Sequence, residues 1–355
     1  MEFGGSALLT LLKGIAALAP FFFQNAAMDR TIEPMAVSSI IMVEDFEGPY
    51  GLKVLEDGSL FVADAPRGHV VRFSPALKRE GTLGTSDPKE FPHAIAQDAT
   101  GNFLVPDHRS GWIKRYTGNG TFLGLFTSDA ILVGPVHVHA DQAGAIFVTD
   151  YKAHRVLKFT ALGSFAGWIG ARTDGAMTEG WTMDGTAKES TTPGGFHQPH
   201  MTTTDNAGNI YVVDTGNHRI QKFSPTGKFL GWTGMPQAGS TTNGWASAGL
   251  SASTDRLGGF HRPTAVTYAK EENFLIVTDT ENNRIVRLGM DGKVEGWLGE
   301  DEAGTTAKTW RDAGISRKGS EPGAFTSPFH AELHGEKLYV ADTGNKRVQI
   351  MTLPR

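Results

Sequence analysis

The stretch NIYVVDTGNHRIQKFSPTGKFLGWTG, residues 209–234, reads as three short strands joined by two turns. Residues 210–213 are β-branched or aromatic, and Asp214-Thr215-Gly216-Asn217 supplies turn residues. Residues 218–223 alternate apolar and polar, Pro225-Thr226-Gly227 turns the chain again, and residues 228–232 form a third run. The same pattern recurs at VADAPRGHVVRF (62–73), VPDHRSGWIKRY (105–116), VTDYKAHRVLKF (148–159), VTDTENNRIVRL (277–288) and VADTGNKRVQIM (340–351). Six copies of one unit mark a repeat protein, and that fact governs every later reading.

The copies are headed by Asp64, Asp107, Asp150, Asp214, Asp279 and Asp342, at separations of 43, 43, 64, 65 and 63 residues. The first two separations match a four-stranded propeller blade of about 40–45 residues, and the others are the same blade with about twenty added. Before each copy stands a strand that follows a Pro: PYGLKV (49–54), PHAIAQ (92–97), PVHVHA (135–140), PHMTTT (199–204), PTAVTY (263–268) and PFHAEL (328–333). These are expected to be the innermost strands, lining the central channel. The last copy stops after its third strand, and SSIIMV (38–43) is expected to supply the missing outer one. Such closure leaves only short, protected edges. The reading is an all-β, six-bladed β-propeller forming one domain over residues 37–355.

Residues 1–36 differ in kind. SALLTLLKGIAALAPFFF (6–23) has the length of a secretory h-region or a marginal membrane span, but no Lys or Arg precedes it. It is read as an N-terminal hydrophobic helix for export, cleaved or kept as a membrane anchor, which makes the protein secreted or periplasmic. The plainer alternative is an amphipathic helix lying on the propeller or on a membrane. The net charge of -5 provides no basic field for nucleic acid. The absence of cysteine excludes disulfides, zinc ribbons and cysteine nucleophiles.

The added twenty residues are themselves a repeat, with two Trp thirteen apart in each: Trp168 and Trp181, Trp232 and Trp245, Trp297 and Trp310. One reading makes these connections a rim that narrows a channel mouth. The other makes each Trp a staple holding its loop to its blade, and recurrence in three copies favours it.

The pattern Gly-Asn-hydrophobic-Tyr-Val-x-Asp-Thr-x-Asn-x-Arg, strongest at residues 208–223, resembles the NHL repeat. The resemblance covers residues 46–355 and implies one blade per copy, with Asp214, Asn217 and Arg219 structural. Among NHL enzymes the chain is most similar to the peptidylglycine α-hydroxyglycine α-amidating lyase. That family holds a zinc in the channel on three His of inner strands, each following a Pro. His93 and His200 match that position, and His330 is displaced from it by one residue. The resemblance also implies Tyr151 as a general base and Arg67 as a group that positions an anion. Thr215 and Ala331 depart from the family, which has an arginine and an acidic residue there.

The residues support a metal independently. Blades two, four and six stand about 120° apart in a six-bladed ring, so imidazoles on their inner strands converge on the axis. Three nitrogens with an open position suit zinc. Register opposes this for His330, because a one-residue slip turns a side chain to the other face unless a bulge restores it. His137 in blade three has the same offset as His330. The pair with either His93 or His200 is therefore a second candidate set. Without a metal, these His are channel-lining polar groups. A cation near Tyr151 would favour its phenolate, and Arg67 or Arg109 could clamp a carboxylate. His108 stands in the turn after Asp107, near the same mouth. The expected function is a metal-dependent, lyase-like enzyme acting on a small molecule or peptide end. The alternative is a non-catalytic module that binds a protein, glycan or hydrophobic ligand.

Overall fold

The computed structural model describes residues 39–84, 89–127, 132–239, 242 and 244–353. The N-terminal segment expected to be a helix lies outside them. The described residues form an all-β propeller of six blades without an α-helix. Blade one is built from Pro49–Val54, Leu60–Asp64, His69–Phe73 and Arg79–Leu83, in that order from the channel outward. The other blades repeat this antiparallel meander. In blade six the outermost strand is Ser39–Val43, paired to Arg347–Thr352 with Ser39 opposite Thr352 and Val43 opposite Val348. The two ends of the ring are thereby joined by backbone hydrogen bonds, as the sequence indicated. Apolar layers complete the seam: Leu52, Val62 and Val71 of blade one pack with Tyr339, Ala341, Val348 and Ile350 of blade six.

The repeat motif is a buried polar joint. The Asp214 carboxylate accepts from Arg219 Nε at 2.7 Å, Asn217 Nδ2 at 2.8 Å, Gln221 Nε2 at 2.9 Å and the His197 N–H at 2.8 Å. The Arg219 guanidinium also donates to the carbonyls of Thr191, Thr192 and Gly195. One fully buried ion pair thus ties the strand–turn–strand unit to the connection before it, and the additional hydrogen bonds offset its desolvation. Asp279 with Arg284, and Asp342 with Arg347, repeat this at 2.8 Å. In blade two the Arg position is Trp112, and the cation nearest Asp107 is Lys114, at the position of Gln221 and 3.8 Å away.

The Trp-bearing connections run along the outer edges of blades three to five. They do not form a rim at the mouth. Trp168, Trp232 and Trp297 on the outer strands bridge to Thr182, Ala246 and Arg311, so the connection covers an otherwise open strand edge. Trp181 and Trp245 donate their indole N–H groups to Pro225 and Met290 carbonyls of the next blade. The Gly before each outer-strand Trp is required: a Cβ on Gly231 would lie 2.8 Å from the Trp245 Cβ. Among the described residues nothing covers the outer strand of blade two in this way, and that strand, Phe122–Leu125, exposes Phe122, Leu123 and Leu125.

Candidate functional site

The residue after each inner-strand Pro forms one tier of the channel: Tyr50, His93, Val136, His200, Thr264 and Phe329, one from each blade. His93 and His200 have ring centroids 5.6 Å apart. Phe329 lies against both, at 5.8 Å from His93 and 4.9 Å from His200, and Tyr50 closes on His93 at 5.0 Å.

Above this tier stands the residue after each repeat Asp. In blades four to six it is a Thr that serves the fold. Thr215 donates to the Pro263 carbonyl at 2.7 Å, Thr280 shares a hydrogen bond with Thr264 at 2.6 Å, and Thr343 donates to the Pro49 carbonyl. In blades two and three the same position holds His108 and Tyr151. The His108 ring is 5.1 Å from His93. The Tyr151 ring is edge-on to both His108 and His200, at 5.8 Å from each. Together these residues line a cavity of about 290 Å³ at the channel mouth, completed by Val136, Thr215, Thr264, Thr280, Glu281, Arg262 and Phe329.

Burial sets the protonation of this cluster. His93 is held well below the ordinary imidazole value by desolvation, reinforced by His200 and His108. His200 is pushed down to about 3 by burial, with His108 and Arg262 adding to the effect. His108 is lowered by burial and then by Lys152. All three rings are therefore neutral near pH 7, the state in which imidazole has a lone pair to give. The Nδ1 atoms of His93, His108 and His200 are buried without a hydrogen-bond partner.

His330 does not join this cluster. In blade six the inner-strand ladder begins at His330, paired to Ala341, with no shift that would bring the imidazole up to the mouth. Phe329 therefore takes the position of a third ligand. The His330 Nδ1 accepts the Leu52 N–H of blade one at 3.0 Å. His137 does the same one half-turn of the ring away, accepting the Thr202 N–H of blade four at 3.3 Å. The ladders of blades one and four slip by one residue just before Leu52 and Thr202, between Pro49 and Leu52 and between Pro199 and Thr202. With Nδ1 accepting, a neutral ring carries its proton on Nε2 and offers no second lone pair to a metal. His137 and His330 are inter-blade staples. They line a separate cavity of about 230 Å³ on the other side of the tier, together with Lys53, His139 and Glu332.

The predicted arginines are engaged elsewhere. Arg67 donates to the Asp45 carbonyl at 2.6 Å and pairs with the Asp45 and Asp64 carboxylates at 3.5 and 3.4 Å. Arg109 stacks 4.5 Å over Phe91, one ring removed from His93. Neither lines the mouth cavity. Arg262, which sequence reasoning passed over, does. It sits before Pro263 in the left-handed region at φ 44, with its N–H donated to His218 Nδ1 at 3.0 Å.

The metal expectation meets a mixed result. Two imidazoles sharing a tetrahedral zinc at about 2.0–2.1 Å would have ring centroids roughly 5–5.5 Å apart. The spacings of His93 to His200 and His93 to His108 are close to that. Among the described residues, however, no group of three or more His, Cys, Asp or Glu is placed to hold a metal ion. The donors fit a metal held by two imidazoles, with the third ring beside them. They do not form the set with His330.

The family model of the NHL repeat matches residues 196–223. The peptidylglycine α-amidating monooxygenase of Rattus norvegicus is 28% identical over 162 residues, and that of Mus musculus 29%. Each match covers 43% of this chain and spans 14% of the relative's length. Among solved structures, virginiamycin B lyase from Staphylococcus aureus superposes with a TM-score of 0.53 at 14% identity, covering 89% of this chain and 99% of that one. A gluconolactonase from Xanthomonas campestris gives 0.56 at 13%, covering 91% and 96%. An auxiliary nutrient-binding protein from Bacteroides ovatus gives 0.57 at 15%, covering 87% and 70%. At these identities the structures establish the shared fold.

Proposed function

We propose that the channel mouth of this six-bladed propeller, which carries an NHL repeat at residues 196–223, is the catalytic site of a lyase-like enzyme acting on a small molecule or peptide end. The observation that carries the reading is the convergence of His93, His108, His200 and Tyr151 on one cavity, from sequence positions that other blades give to Thr, Val, Phe, Tyr or Ala. A fold of this kind is neutral as to chemistry, so the argument rests on these side chains. The similarity to amidating monooxygenases supports it as far as a 28% match can.

His93 and His200 would hold a divalent cation, zinc by donor type, with His108 nearest to complete the set. Bound there, such an ion would polarise a substrate oxygen. The protein's own groups would do the remainder. Tyr151, whose ring lies edge-on to His108 and His200, would take or return a proton at its phenol oxygen. Val136 and Phe329 line the cavity beside the imidazoles and would seat an uncharged part of the substrate and limit water. The test is turnover of α-hydroxyglycine derivatives, screened first, by protein purified without chelators. Tyr151→Phe should lower kcat by about 10²-fold or more with the fold intact. Equal turnover by the variant would remove Tyr151 from the mechanism.

One observation favours a second reading, a binding module without chemistry. Only two of the six positions in the His93 tier are imidazoles, fewer than the three protein ligands usual in a catalytic zinc site. Ligand binding at the mouth, without turnover of any α-hydroxy substrate and without metal, would support it.

A further inference from the structure

We propose that Arg262 forms an anion-binding subsite in the mouth, so that the ligand carries a carboxylate or an equivalent oxyanion. The inference rests on the reading of this mouth as a ligand site and specifies what enters it. Arginines in this propeller have acidic partners as a rule. Arg219, Arg284 and Arg347 are bonded to the repeat Asp residues, Arg115 to Asp98, Arg287 to Glu295, Arg311 to Asp301 and Arg317 to Glu300. Arg262 is half-buried and lines the cavity, yet its side chain meets only the Gln198 Oε1, at 3.4 Å. No carboxylate lies within 4 Å of it among the described residues. Glu281 lines the same cavity without pairing to it.

The base of this side chain is also held in place. Its backbone is fixed between the His218 hydrogen bond and Pro263, a joint that recurs in the chain. Gln198 donates its N–H to His154 Nδ1 at 3.0 Å, and Ser327 donates to Asn283 Oδ1 at 2.9 Å, each just before the next Pro. Of the three residues at this joint, Arg262 alone carries a charge. A half-desolvated guanidinium without a counter-ion, on a fixed backbone and beside neutral imidazoles, is complementary to a planar oxyanion, which it can bind through two parallel N–H donors. It is also near enough to His200 to help keep that ring neutral.

The subsite is tested with three probes of similar shape: mandelate, phenyl phosphate and mandelamide, titrated into the full-length protein by calorimetry. The expected result is that mandelate binds roughly tenfold or more tighter than mandelamide, and that Arg262→Gln abolishes the preference. Arg262→Lys should retain part of it, because the charge remains and the fork is lost. Phenyl phosphate distinguishes a carboxylate site from a general oxyanion site. Equal binding of acid and amide, or a preference that survives Arg262→Gln, would overturn the assignment while leaving the mouth a ligand site. If no probe binds, the reading of the mouth fails and the subsite fails with it.

Discussion

Blades four to six and blades two and three contain the same repeat and use it differently. In blades four and six the position after the repeat Asp is a Thr that donates to the Pro opening the next inner strand, in blade five it is a Thr bonded to Thr264 of its own blade, and Asp, Asn and Arg close on one another in a buried joint. In blades two and three that position presents His108 and Tyr151 to the channel. The ion pairs of these blades are looser: in blade two Trp112 stands at the Arg position and the nearest cation, Lys114 two residues on, is 3.8 Å from Asp107, and in blade three Arg155 stands 3.3 Å from Asp150. One part of the ring thus spends this position on the fold, and the other presents it to the mouth cavity. A repeat protein can divide labour in this way because each blade contacts only its neighbours.

The sharpest way to break this comparison is to remove, from each part, the cation facing the repeat Asp and the side chain on the outer strand. Arg219→Ala would leave Asp214 buried without its cation and should cost about 3–5 kcal/mol. Lys114→Ala, at a partly exposed site, should cost about 1 kcal/mol or less. Trp297→Ala should cost about 3–5 kcal/mol through the cavity it leaves. Leu125→Ala, at the equivalent position of uncovered blade two, should stay within about 0.5 kcal/mol. Urea denaturation measures all four, and equal losses in both parts would refute the division.

The next effect separates the two kinds of channel histidine. His330→Phe removes the acceptor for the buried Leu52 N–H and should cost about 1–3 kcal/mol. His93→Ala breaks no inter-blade hydrogen bond that the structure shows. It should change stability less and ligand or metal binding more, as read by denaturation and calorimetry together.

A smaller effect is pH dependence. Burial holds His200 at about 3 and His330 at about 4 in the folded protein, against 6.5 unperturbed. Between those values the unfolded chain binds more protons than the native one. Stability from this source is therefore complete above pH 6.5 and is lost as pH falls through 4 toward 3, by about 1.4 kcal/mol per unit for each ring. Tm should decline on acidification below 6.5, and His330→Phe should decline less steeply. Parallel curves would mean that His330 is not a buried neutral staple.

The fold was largely legible because the repeat writes its own boundaries. The Asp spacing, the Pro before each inner strand and the missing last strand together specify six blades and their closure. The site was legible where it occupies repeat positions. His93 and His200 were reached through the Pro that opens each inner strand, Tyr151 through the resemblance, and His108 differs from Thr215, Thr280 and Thr343 at a single aligned position. His330 and His137 misled because a channel imidazole looks the same in sequence whether it faces the axis or the next blade. The one-residue slips before Leu52 and Thr202, which expose the N–H groups these rings accept, leave no mark on composition. Arg67 was assigned by its place after a repeat Asp, but Asp45, outside the repeat, captures it. Arg262 carried no sequence signal, because its backbone is fixed by His218, 44 residues earlier.

The most direct test of the account is metal content by mass spectrometry on untagged protein, purified without chelators, for the native chain and for His93→Ala, His200→Ala and His330→Phe. The account predicts near-stoichiometric divalent metal in the native chain, its loss from the first two variants and its retention in His330→Phe. A native protein without metal, or a folded His330→Phe variant that loses it while His93→Ala keeps it, would contradict the assignment of the site to the tier of His93 and His200.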